Sequence, residues 1–73
     1  MPHYFFNVRD HVDAIDYDGR ELPNIEAATA EALKDIVDIK RARFETIDNW
    51  LPWSIEICDD QGLVVKVMPF SVN

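Results

Sequence analysis

Four groups of side chains in this sequence could do chemistry. They are the acidic run Asp10, Asp13, Asp16 and Asp18, the histidines His3 and His11, the lone Cys58, and the basic cluster Lys40-Arg41-Ala42-Arg43. The acidic run ends at Gly19 and invites comparison with a calcium loop. An EF-hand loop places glycine sixth, so the first and twelfth ligand positions would fall on Ala14 and Ile25, neither of which can ligate. A solvated acidic hairpin is the better reading. His3 and His11 are eight residues apart on a strand pattern, about 26 Å, too far to share one ion within a chain. Cys58 has no catalytic motif around it, and a lone cysteine in a strand acts as a small apolar side chain. Ser54 and Ser71 lack a nucleophile elbow. Two separated glycines cannot build a phosphate loop. The basic cluster falls in the last turns of a helix pattern, where cations stabilise the helix dipole by ~0.3–1 kcal/mol. Asp38 and Glu45 are within pairing reach of it. The residues therefore give no catalytic, cofactor-binding or metal site, and the expectation is a protein that is not an enzyme.

The elements that carry these residues follow from periodicity. Tyr4, Phe6 and Val8 alternate with His3, Phe5, Asn7 and Arg9, and their aromatic and β-branched content indicates a strand. A short second strand is expected around Val12 to Tyr17, closed by Asp18-Gly19. Leu22-Pro23-Asn24 opens a helix with Asn24 as N-cap and Glu26 near the positive end of the dipole. Ile25, Ala28, Ala32, Leu33, Ile36, Val37 and Ile39 keep helical spacing. The pattern fades over Phe44 to Asp48, and Asn49 and Pro52 stop it, giving a helix of about twenty residues, ~30 Å. Ser54 to Cys58 alternates with Ile55 and Ile57 inward. Asp59-Asp60-Gln61-Gly62 reads as a hairpin turn. Leu63 to Met68 forms the last strand, which ends at Pro69 or lies at an edge there. The expected fold is α+β: one domain over residues 1–73, in ββαββ order, with a small antiparallel sheet of about four strands and one long helix on one face.

Composition bounds the function. The 73 residues are 48% hydrophobic and 29% charged, a folded rather than a disordered profile. Net charge is −7, so nucleic acid is disfavoured as a partner. The charge is uneven, −6 over residues 1–38 and −1 over residues 39–73. No apolar run approaches the ~20 residues that span a membrane, and Met1-Pro2-His3-Tyr4 does not open a signal peptide. A single cysteine rules out an intrachain disulfide and fits a reducing compartment, so the expected location is the cytoplasm and the chain reads as complete. So small a domain is marginal in stability and gains from oligomerisation.

One helix covers one face of the sheet. The other face is expected to carry Phe5, Val64, Met68 and Cys58 beside Asn7, Glu56 and Lys66, an apolar surface of the kind that marks a contact site. Trp50 and Trp53 flank Leu51-Pro52. Trp53 is expected in the core, and Trp50 exposed as a binding anchor. The candidate interface is therefore Phe5, Val64, Met68 and Trp50. The first expectation is a self-associating interaction module, a homodimer. The alternative is an acidic regulator of a basic protein partner.

The segments Met1 to Asp10, Glu21-Leu22-Pro23-Asn24 with Glu26-Ala27-Ala28 and Glu31-Ala32-Leu33, Ile55 to Gly62, and Val67-Met68-Pro69-Phe70 resemble the family called domain of unknown function 6894. These are short proteins of alphaproteobacteria. The resemblance covers essentially the whole chain and implies a small stand-alone cytoplasmic protein with no assigned activity or catalytic residues. The stretch from Lys40 to Trp53 is longer, more basic and more aromatic than the usual pattern. The hairpin and helix also look like the acidic module of HicB-type antitoxins, at the level of architecture alone.

Overall fold

The computed structural model describes residues 2–10, 14–43 and 49–71. The elements run β1 (His3–Arg9), β2 (Arg20–Glu21), α1 (Ile25–Arg43), β3 (Ser54–Cys58) and β4 (Val64–Pro69). The four strands form one sheet in the order β2-β1-β3-β4, and every neighbouring pair is antiparallel. The α+β architecture and its element order are as the sequence leads one to expect.

The helix begins where its capping chemistry puts it. The Asn24 side-chain oxygen accepts from the Ala27 N–H at 2.9 Å, and its carbonyl accepts from Ala28 N–H at 3.2 Å. Ala28, Ala32 and Ile36 form its buried stripe. Both alanines have zero exposure, and their small side chains let the helix backbone lie close to the sheet. The core beneath is built from Tyr4 and Phe6 of β1, Ile55 and Ile57 of β3, Met68 of β4, and Trp53 and Phe70. Val8, Leu22, Ile39 and Trp50 pack on its margin.

The second strand differs from expectation. Val12 lies outside the described residues, and Ala14 makes only an isolated bridge to Val8. The paired strand comes later, at Arg20–Glu21 opposite Tyr4 and His3. In place of a longer ladder, the Asp16 side chain supplies the acceptors. Its carboxylate accepts from the N–H of Phe6 at 3.1 Å and from those of Asp18 and Gly19 at 3.0 Å each. Gly19 takes a φ of +70° in that turn.

The last strand carries a second correction. Met68 pairs with Ile55, Lys66 with Ile57, Val67 with Glu56, and then Val64 with Cys58, so the register shifts by one residue. Val65 is the extra residue of a β-bulge, and a bulge inverts the alternation beyond it. Met68 is therefore on the helix side and in the core, not on the open face, and Lys66 is opposite Ile57 on that same helix side. Val67 takes a place on the open face instead, while Val64 remains there.

Candidate functional site

Among the described residues, a cavity on the helix side and an apolar surface at the β4 edge are the candidate sites. The cavity has a volume of about 440 Å³, with Phe6, Val8, Ile39 and Ile55 on its apolar side. Asp16, Asp18, Arg20, Asp35 and Asp38 supply its polar lining. Arg20 lies over the Phe6 ring, 4.7 Å from its centroid. Its guanidinium donates to Asp35 at 2.8 Å and to Glu31 at 3.2 Å, tying β2 to the helix. Burial works against the Arg20 charge, but the hydrogen bond to Asp35 and the charges of Asp35 and Glu31 outweigh it and raise its pKa. Burial likewise opposes ionisation of Asp16. The N–H groups of Gly19, Phe6 and Asp18 and the nearby Arg20 overcome this and hold its carboxyl below the usual carboxylate value. Asp16, Arg20 and Asp35 are thus committed to holding the fold. Among the described residues that line it there is no serine, cysteine or histidine to act as nucleophile or base.

The sequence-derived chemical candidates are placed apart. His3 faces the same side as Phe5, with ring centroids 5.1 Å apart, and its Nε2 is 2.7 Å from the Asp18 carbonyl oxygen. His11 and Asp13 lie outside the described residues. Among the described residues no group of three His, Cys, Asp or Glu could hold a metal ion. Cys58 is buried beside Phe5, and Asn7 donates to its sulfur at 3.6 Å. Burial, then the charges of Glu56 and Asp59, push its thiol pKa up, so the nucleophilic thiolate is disfavoured. The basic cluster closes the helix against aromatic rings. Lys40 Nζ is 5.9 Å from the Trp50 ring centroid and the Arg43 guanidinium 5.9 Å from that of Trp53. Phe44 to Asp48, including Glu45, lie outside the described residues.

The aromatic end also corrects the reading of Trp50. Its ring stacks on Phe70 at 5.5 Å and meets Trp53 edge-on at 5.0 Å. Trp50 is half-buried against the core rather than a free anchor, while Trp53 is core as expected. The signal was Phe70, whose N–H donates to the Trp53 carbonyl at 3.0 Å and brings the end of β4 onto the tryptophans.

The remaining region is the β4 side of the sheet. Leu63, Val64, Val65 and Val67 are 61%, 50%, 45% and 53% exposed. Phe5, half-buried, and Cys58 continue the apolar surface inward from Val64. The Arg9–Glu56 pair, 2.9 Å apart, borders it beside Val67. On the helix flank away from the Arg20 contacts, Leu33 and Val37 are also about half exposed. Of the four residues expected at an interface, Phe5 and Val64 are on this surface, Met68 is beneath it, and Trp50 is at the aromatic end. Sequence reasoning missed Val67, because no residue pattern announced the bulge.

This is a small α+β protein in which one helix backs a four-stranded antiparallel sheet and the conspicuous feature is an apolar sheet edge. The profile of the domain of unknown function (DUF6894) matches residues 3–71, and the chain belongs to that family. Comparison with curated proteins and with solved structures returns no match.

Proposed function

We propose that this protein is a non-enzymatic, cytoplasmic interaction module that associates with itself. The observation that carries this reading is the run Leu63, Val64, Val65 and Val67, with every one of these side chains close to half exposed or more. Isolated exposed apolar residues are ordinary, but a contiguous strip on an edge strand marks a contact surface. A domain this small also gains stability from a partner. Light scattering across the micromolar range tests the proposal. The expected result is a mass rising towards twice 8.5 kDa. A mass that stays at that of one chain throughout overturns it.

The alternative, an acidic regulator of a basic protein, is favoured by the net charge of −7. It predicts binding of a cationic partner that weakens as salt is added. Self-association through an uncharged strip does not weaken in that way.

A further inference from the structure

We propose that a second copy of the chain pairs along the outer edge of β4, antiparallel, about a two-fold axis at Val67, joining the two sheets into one of eight strands. The inference rests on the self-association reading and specifies its surface. β4 is the last strand of the sheet order, so among the described residues its outer edge meets no other strand. Phe70 N–H donates to Trp53, and the ladder alternates unbroken from there to the bulge, so Met68 and Lys66 bond to β3 while Val67 and Pro69 direct their backbone groups outward. Proline is tolerated at such a position because its missing N–H would have pointed to solvent.

Those outward groups match a copy of themselves. With the axis at Val67, each Val67 N–H meets the Val67 carbonyl of the other copy. Lys66 then lies opposite Met68, whereas an axis at Lys66 would set two like charges against each other. Charge favours the same occupant. From Gln61 to Ser71 the sole charged side chain is Lys66, in a chain of net −7. Two copies therefore meet at β4 without bringing acidic side chains together, and a basic partner would be drawn to other surfaces. The two-fold contact uses up the long edge, and β2 at the opposite edge has only two residues, so assembly stops at a dimer.

The test uses the full chain. Val67→Pro removes the outward donor, and its far-ultraviolet circular dichroism checks the monomer fold. Sedimentation should show the dissociation constant raised about tenfold or more. Amide hydrogen exchange of the unmodified protein gives a second reading that needs no variant. The Val67 N–H should be protected at high protein concentration and exchange freely on dilution. A protein that dimerises while Val67 stays unprotected, or while Val67→Pro dimerises as before, overturns the β4 edge and leaves self-association standing. A protein that is monomeric at every concentration overturns both.

Discussion

Asp16 supplies with one carboxylate the acceptors that a longer second strand would otherwise provide. Three backbone N–H groups and the nearby Arg20 favour its charged form. Replacing it with alanine should cost about 2 kcal/mol in denaturant unfolding, since the Phe6 N–H loses its partner beside the core. Its folded pKa lies below the ordinary value of 3.8, so the unfolded chain binds the proton more tightly. The stabilisation is therefore full above that value and is lost as pH falls through the lower folded one. Asp16→Asn should flatten this part of the acid unfolding curve, checked by denaturant melts at a series of pH values. The glycines offer a second contrast. A Cβ at Gly19 would come within 2.5 Å of the His3 ring and 2.8 Å of the Tyr4 carbonyl, whereas one at Gly62 meets nothing within 4 Å. Both have positive φ, so Gly62→Ala should cost about 1 kcal/mol and Gly19→Ala well above that, read as thermal midpoints.

At the scale of elements, the helix was the most legible part of the chain. Asn24 caps it as read, and the spacing of Ala28, Ala32 and Ile36 finds the sheet. Periodicity alone did not separate that stripe from Leu33 and Val37, which lie a quarter-turn or more round and stay half exposed. This yields a paired prediction. Ala32→Leu should destabilise by about 1–3 kcal/mol through overpacking, and Leu33→Ala should change monomer stability by about 0.5 kcal/mol or less, both by denaturant unfolding. The strands were legible where alternation runs unbroken, as from Ser54 to Cys58. They were misread where a side chain or an extra residue replaces the ladder. Asp16 looks like a strand residue until its hydrogen bonds are seen, and the bulge at Val65 leaves no mark in hydropathy because all its neighbours are apolar. The candidate surface was half legible for that reason: Phe5 and Val64 were placed on it, Met68 and Val67 exchanged.

At the scale of the whole molecule, charge and apolar surface are segregated. Nine of the fourteen acidic residues precede Ile39, and β4 has none. Self-association through β4 should therefore strengthen as sodium chloride is raised from low to physiological levels, because salt screens the repulsion between two −7 chains while leaving the apolar contact intact. Sedimentation equilibrium at several ionic strengths checks the sign. A complex built on the acidic surface would move in the opposite direction.

The packing of Trp50 edge-on to Trp53 and stacked on Phe70 has a practical corollary. These are the only two tryptophans in the chain, and both are at the end of the molecule where β3 begins and β4 finishes. Intrinsic emission is thus a local gauge, sensitive to the seating of the helix end and the exit of β4. It gives little direct view of the Asp16 turn or of the Asp59–Gly62 hairpin. A melt followed by emission and one followed by circular dichroism will coincide only if the chain unfolds as a unit. Their agreement or divergence measures how far cooperativity extends through so small a fold.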